Sequence, residues 1–384
     1  MRVGYNNKAN RLVSCEIMLD SSQKSVTLRD VAALAGTDKG SASRALNGKG
    51  RVSAHTREAV LKAAKELRFQ PNLSARNLAH GRSPNAVAHI PTHDLGVLTE
   101  QAFSVEHRLD EMDLDVQSYS PPVWVNQFER KQIALVNKVR RQRPVAIICG
   151  SPLVPKAVDE LRLFIQEGGV VVNYGAKIDL ECDQVLFDPL HRAYLATRHL
   201  LELGHRELGF CVHGKIQPDW VELAGFARPL EEYSVPIWTE LAGFARALEE
   251  YSVPLQEEWI FGGGNYEEGG ARLAEAFLSW PKKPTGMCIV NDFSAATFVM
   301  VLSRNGLTVP DDVSVVGFDD ARAARYALVP LTSMSYPLEP ISRQVAEFTQ
   351  SRLQGYDGPP RTETMPSELI VRSSTAPYRL KGPG

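Results

Sequence analysis

From Ala86 onward the chain alternates short apolar runs with amphipathic stretches, and this alternation restricts the fold more than any other property of the sequence. The apolar runs are Ala86–Ile90, Val145–Cys149, Val170–Tyr174, Val185–Phe187, Leu208–Val212, Met287–Val290 and Val313–Phe318. Between most of them lie stretches of helical periodicity: Gln127–Arg141, Pro155–Glu167, Arg192–Leu203, Gly269–Trp280 and Ala295–Asn305. Such alternation predicts parallel sheets covered by helices on both faces. About 290 residues exceed what one core organises, so two doubly wound lobes are expected. Ligands in such folds sit at the carboxyl ends of the strands, here in the crevice between the lobes.

The front of the chain has a different texture. Thr27 can cap a helix from Leu28 to Ala35 with Val31, Ala32, Leu34 and Ala35 on its inner side. Gly36 falls where a tight turn needs a residue without Cβ. Asp38 can cap a second helix that runs to about Leu46 and ends at Asn47-Gly48. Ser53 opens a third, Ala54 to Arg68, with Ala59, Val60, Ala63, Ala64 and Leu67 along one face. The spacing Ala32, Gly36, Ala42 is that of a helix-turn-helix: a small residue for close approach, a glycine for the turn and an apolar anchor.

Charge separates the same two regions. The total is −2, yet residues 26–82 hold eleven Lys/Arg against four Asp/Glu, and residues 1–25 hold four against two. The remainder, residues 83–384, therefore carries −11. A small basic module on an acidic body predicts a polyanionic partner; for charge alone, an ordinary solvated helical surface is the alternative.

Several function classes are disfavoured. No run of about 18 apolar residues is present, so no membrane span is expected. The first residues lack the apolar stretch of a secretory signal and read as a loose tail, with Met18 a second candidate start. The five cysteines (Cys15, Cys149, Cys182, Cys211, Cys288) form no CxxC pair, which argues for a reducing cytoplasm and against a disulfide framework or zinc site. GxSxG, P-loop and HExxH motifs are missing, and "GGGNYEEGG" at Gly262 reads as a loop leading to a helix. Neither an enzyme nor any metal or cofactor is indicated.

Two segments stand apart. In "FQPNLSARNLAHGRSPN", Pro71 stops the third helix and Asn72 can cap a stretch ending near Gly81. Fewer than ten residues make a poor isolated helix, so this segment is a hinge candidate. Further on, "WVELAGFARPLEEYSVPI" (220–237) is followed at once by "WTELAGFARALEEYSVPL" (238–255). One copy is surplus to a compact lobe, and Pro229 weakens the first as a continuous helix. A bulging surface insertion is expected; a slippage duplication or a sequence-assembly error explains it equally well.

The motifs "VTLRDVAALAGTDKGSASRALNGKGRVSAHTREAVLKAAKELRFQPN", "ARNLAHGRS", "HLLELGHRELGF", "GLTVPDDVSVVGFDD", "PLTSM" and "PSELIVRSST" together resemble the lactose/purine repressor (LacI/GalR) family over about Val26 to Thr375. The resemblance is weakest over residues 86–185. It implies a dimeric transcription regulator: an all-α helix-turn-helix headpiece on an α/β body like periplasmic sugar-binding proteins, its chain crossing between lobes three times. The crossings are expected near Phe187, Asp311 and Pro337. The expected division is a tail (1–25), headpiece (26–70), hinge (71–84), N-terminal lobe (85–187 with 312–337), C-terminal lobe (188–311 with 338–377) and a second tail (378–384).

By the same resemblance, the second helix enters the major groove and presents Lys39, Gly40, Ser43 and Arg44 to bases, with Asn47 nearby. Lys39 either reads a base or touches only phosphate. Thr27, Arg51, Ser53 and Thr56 match positions at the duplex backbone, and Leu28 is a further DNA-binding candidate. In the hinge, Asn72 is a further DNA-binding candidate, and Ala75, Arg76 and Leu78 match minor-groove positions, where Leu78 either wedges between base steps or packs against the body. The implied partners are a pseudo-palindromic double-stranded operator, a second copy of the chain, and a small effector, a sugar by the character of the cleft. Asp188, Asn291 and Asp292 are expected at strand ends facing it, with helix capping the alternative for Asp292. Many relatives carry Arg three residues before the Gly-Phe of an RxxGF motif. Here Glu222 stands there, repeated at Glu240; either it disfavours a carboxylate or phosphate effector and leaves a neutral or amino sugar, or it is a helix-surface residue taken out of the site by local rearrangement. The competing functional reading is a sugar-binding protein without DNA regulation; the basic headpiece opposes it.

Overall fold

The computed structural model of the chain describes residues 27–47, 52–67, 85–92, 96–120, 128–150, 152–212, 236–262 and 266–379. They fall into two units, one at the front of the chain and one from His80 onward.

The first unit holds α1 (Leu28–Leu34), α2 (Lys39–Asn47) and α3 (Ala54–Glu66). Asp30 reaches back to the N-terminus of α1 and accepts from the N–H and the hydroxyl of Thr27. Asp38 caps α2 by accepting from the N–H groups of Gly40 and Ser41 at 2.9 and 3.0 Å. Gly36 takes φ +63°, the left-handed conformation that lets the chain turn sharply between the helices. Val31, Ala32, Ala42, Ala45, Val60 and Ala63 form the core where the three helices meet. Leu34, expected on the inner side, is instead 49% exposed. At 100° per residue it is rotated well away from the arc shared by Val31, Ala32 and Ala35.

The second unit contains two six-stranded sheets. In chain order its elements begin with β1 (Ala86–Pro91), α4 (Val97–Asp110), β2 (Asp115–Ser118), α5 (Phe128–Arg141), β3 (Ala146–Gly150), α6 (Pro155–Gln166), β4 (Val170–Gly175) and β5 (Asp183–Phe187). The chain then runs into the second sheet through α7 (Pro189–Glu202), β6 (Leu208–Val212), α8 (Pro236–Glu250), β7 (Ile260–Gly262), α9 (Tyr266–Ser279), β8 (Gly286–Ile289), α10 (Asp292–Arg304), β9 (Ser314–Asp319), α11 (Arg322–Tyr326) and β10 (Thr332–Ser335). It closes with α12 (Leu338–Leu353), β11 (Thr362–Met365) and β12 (Leu369–Ile370). The sheet orders are β11-β5-β4-β3-β1-β2 and β12-β10-β9-β8-β6-β7. Pairing is parallel except between β12 and β10.

Each sheet is buried on both faces. One face of the first is covered by α5 and α6 through Val136, Val139, Leu161 and Phe164. The other takes α4 and α12 through Val105, Leu109, Ile341, Val345 and Phe348. In the second sheet Phe210, Val316 and Phe318 pack on Leu200, Phe244 and Leu248. Met287, Ile289 and Val315 pack on Leu273, Phe277 and Phe298. Among the described residues no helix is long and apolar enough to cross a membrane.

The topology corrects the expected lobe boundaries. Residues 312–337 belong to the second sheet: β9 pairs with β8 in the register Gly286↔Ser314, and β10 pairs with β9. The link from α10 to β9 is a short return within one lobe, so Asp311 is not a crossing. The C-terminal stretch 338–365 returns to the first lobe, where β11 pairs with β5 in the register Thr362↔Gln184. The third crossing lies between Met365 and Leu369.

The tandem copies are not equivalent. The second supplies most of α8, and its Leu241, Phe244, Ala247, Leu248 and Val253 are buried in the second lobe. Contact with α7 is close at Gly243, where an added Cβ would lie 2.0 Å from the Leu190 carbonyl oxygen. The expected insertion, residues 220–235 of the first copy, lies outside the described residues.

Candidate DNA-binding face and effector site

On α2, Lys39, Gly40 and Arg44 are exposed and Ser43 is half-buried, while Ala42 and Ala45 point into the core. The helix thus offers one polar face to solvent and fixes it from behind. Arg44 leans along that face, its Nη2 donating to Ser41 Oγ at 3.0 Å. Thr27 caps α1 and is exposed; Leu28 is half-buried against the core. Ser53 caps α3, its Oγ accepting from the Thr56 N–H at 3.1 Å and lying 2.8 Å from the Thr56 hydroxyl. Lys39 at the N-terminus of α2 and the mutually hydrogen-bonded Ser53 and Thr56 hydroxyls at that of α3 therefore lie at helix ends that already favour a phosphate. Asn47 closes α2. Arg51, Asn72, Ala75, Arg76 and Leu78 lie outside the described residues.

In the body, the expected effector residues occupy strand ends, with differing exposure. Asp188 follows β5, is exposed, and accepts from the His191 N–H at 2.9 Å. Asn291 caps α10, its Oδ1 accepting from the Phe293 N–H at 3.2 Å. Asp292 is fully buried. Its Oδ1 accepts from the Ser333 hydroxyl at 2.7 Å and its Oδ2 from the Ala321 N–H at 2.8 Å. Burial, with Asp319 and Asp320 adding to it, holds this carboxyl well above the usual range. Both oxygens are thus engaged in tying the end of β9 to β10. Glu222 lies outside the described residues, but its copy Glu240 is in α8 and 6% exposed.

Glu240 reveals two residues that sequence reasoning missed. Arg192, in the first turns of α7, is 3% exposed and donates from Nη2 to Asp319 Oδ1 at 2.9 Å. Its guanidinium carbon lies 5.5 Å from the Phe187 ring centre, 5.4 Å from Phe318 and 5.9 Å from Tyr336. Glu240 and Asp319 both act on this cation electrostatically. Burial pushes the Glu240 carboxyl up to about 7, Arg192 partly opposing this and Asp319 reinforcing it. The only hint in the sequence was an arginine inside an otherwise apolar helix face, paired with an acid where relatives carry a base. Phe187 ends the last central strand of the first lobe, and Tyr336 follows the last long strand of the second. Arg192 therefore sits where the chain passes between lobes.

A helix-turn-helix with an exposed cationic face, carried ahead of a two-lobed α/β body, defines a DNA-binding regulator of the ligand-responsive type. The comparisons agree. Residues 27–72 match the family described as bacterial regulatory proteins, lacI family, and residues 197–375 match the periplasmic binding protein-like domain. The transcriptional regulator GalR of Salmonella typhimurium is 27% identical over 354 residues, covering 91% of this chain and 96% of the relative. The lac repressor dimer bound to operator and the anti-inducer ONPF superposes with a TM-score of 0.78 at 22% identity, covering 92% of this chain and all of that one. The transcriptional regulator CelR in complex with cellobiose superposes with a TM-score of 0.62 at 23% identity, over 91% of this chain and 99% of that one. Residues 27–72 thus carry a DNA-binding domain of the lacI family and residues 197–375 a periplasmic binding protein-like domain, the make-up of a DNA-binding transcriptional regulator.

Proposed function

We propose that the protein is a cytoplasmic repressor. It acts as a homodimer on a pseudo-palindromic operator and is released or retained by a small effector, a neutral or amino sugar, held between the lobes of its body. The observation that carries this reading is the exposed face of α2, with Lys39 and Arg44 outward and Ala42 and Ala45 anchored behind. Lys39 and Arg44 suit guanine acceptors in the major groove, a good bidentate pair giving about 1–3 kcal/mol of discrimination. Thr27, Arg51, Ser53 and Thr56 orient the module on phosphates. The segment around Asn72, Ala75, Arg76 and Leu78 pairs with its copy in the minor groove, Leu78 opening a base step.

The effector acts by binding one lobe arrangement better than the other, which alters how paired hinges form. From the original set, Asp188 is the exposed strand-end group available to it, while Asn291 is largely buried and caps α10. Asp292 acts behind them as a brace. The decisive experiment is recovery of bound DNA across the source genome, repeated with candidate sugars. Enrichment of a palindromic site that changes with one sugar supports the proposal. Recovery of random DNA, unaffected by every sugar, refutes it.

A further inference from the structure

On the exposed face of α2 a chain of contacts runs from the capping acid to the arginine. Asp38 accepts through Oδ1 from the Gly40 and Ser41 N–H groups at 2.9 and 3.0 Å. The Ser41 side chain also bonds to this carboxylate. That bond, the two N–H groups and the Arg44 charge together hold the Asp38 carboxyl below its ordinary range. Ser41 Oγ in turn accepts from Arg44 Nη2 at 3.0 Å. A hydroxyl both donates and accepts, so Ser41 passes the hold of Asp38 on to the guanidinium. Gly40 leaves the room this needs. A Cβ there would stand 3.0 Å from Asp38 Oδ1 and 3.8 Å from Arg44 Nη1. Positions 40 and 44 are neighbours on one helix face, so a longer side chain at 40 would compete with the guanidinium for that turn.

We propose that Asp38, Gly40 and Ser41 are positioning residues that set the Arg44 guanidinium along α2 before DNA arrives, and that this preset geometry strengthens the preference for the operator. The proposal rests on the reading of Arg44 as a base-contacting residue. An arginine on a bare helix samples many rotamers, and fixing one such side chain on binding lowers affinity by about two- to tenfold. Here part of that ordering precedes binding. Ser41 takes one of the five guanidinium N–H donors, and guanine O6 and N7 need two, so the restraint and the base contact are compatible. Phosphate contacts are made on every sequence, so the restraint is felt on the preferred duplex and not on random DNA.

For the test, the full-length protein is first offered a duplex library with randomised half-sites. The most enriched duplex and a scrambled duplex of the same composition then serve as probes in fluorescence anisotropy. Arg44→Ala should lower the ratio of the two affinities by at least about fivefold. Ser41→Ala should lower it by about two- to tenfold. Ser41→Thr, which keeps the hydroxyl, should match the wild type. Asp38→Asn, whose amide oxygen still caps the helix, should lower the ratio in the same direction as Ser41→Ala. In an Arg44→Ala background, Ser41→Ala should have no further effect, a coupling that damage to the helix alone would not produce. An unchanged ratio in Ser41→Ala, or the same loss with and without Arg44, overturns the proposal and leaves Arg44 a base reader. An unchanged ratio in Arg44→Ala, or no enriched duplex, overturns the base-contact reading and the proposal with it.

Discussion

Deleting either tandem copy yields two chains of equal length that differ at only three positions, Val221/Thr239, Pro229/Ala247 and Ile237/Leu255. Whichever copy remains must fill the place of α8. Without residues 220–237, the helix is unchanged from Trp238 onward. Without residues 238–255, Pro229 takes the place of Ala247, which is fully buried and a full turn from the end of the helix. Proline there removes the bond to the carbonyl of Gly243 and clashes with it, at about 3 kcal/mol or more. The helix cannot bend away at that point, because Gly243 is packed on the Leu190 carbonyl. The added ring atoms in a closed core position cost about 1–3 kcal/mol further. The second deletion should therefore lose about 4–6 kcal/mol relative to the first, a large part of the ~5–15 kcal/mol that holds a domain folded. Urea unfolding of both variants, followed by circular dichroism, measures this. A third variant, lacking 238–255 and carrying Pro229→Ala, should recover nearly all of it. Equal midpoints for the two deletions, or no recovery in the third, would refute the assignment of the second copy to α8.

Glu240 predicts a pH effect on stability. Its carboxyl sits near 7 when folded against an ordinary 4.5, so the folded state holds the proton more tightly and stability falls as pH rises between those values. Glu240→Gln should gain on the wild type by up to about 3 kcal/mol between pH 4 and pH 8, read from urea midpoints at both pH values; parallel profiles would contradict the burial. Arg44→Ala should cost about 1–3 kcal/mol on the operator and little on random DNA, by fluorescence anisotropy. Leu78→Ala should reduce bending in a gel-phasing assay and weaken specific more than non-specific binding. Operator affinity should fall linearly with salt on logarithmic axes, each neutralised phosphate adding about 0.9 to the slope; a flat response would contradict the basic face.

The long parallel strands and the headpiece were legible because their signals are local. Leu208–Val212 is apolar throughout and became β6 at those bounds, and Ala32, Gly36 and Ala42 carry their geometry in their spacing. The C-terminal third was harder. β11 (TETM) and β12 (LI) are short and carry little apolar signal, so nothing along the chain declares which sheet they join. That membership is decided by pairing with β5 and β10, distant in sequence, and the lobe assignment failed there. The effector region was legible only in part. Asp292 looked like an exposed ligand group because a strand-end acid often is, whereas Ser333 and Ala321 engage both its oxygens from other segments. Arg192 escaped notice because its partners, Asp319 and Glu240, are brought to it only by the fold.

The return of α12 and β11 to the first lobe makes the two lobes genetically unequal. Residues 188–337 carry all strands of the second sheet except β12 in one uninterrupted stretch. The first lobe has no such stretch: its sheet and one covering helix wait for residues 338–365. During synthesis the second lobe can close as it emerges. The first stays short of an edge strand and half of one face until almost the whole polypeptide has been made, so a frameshift late in the gene would injure the lobe encoded earliest.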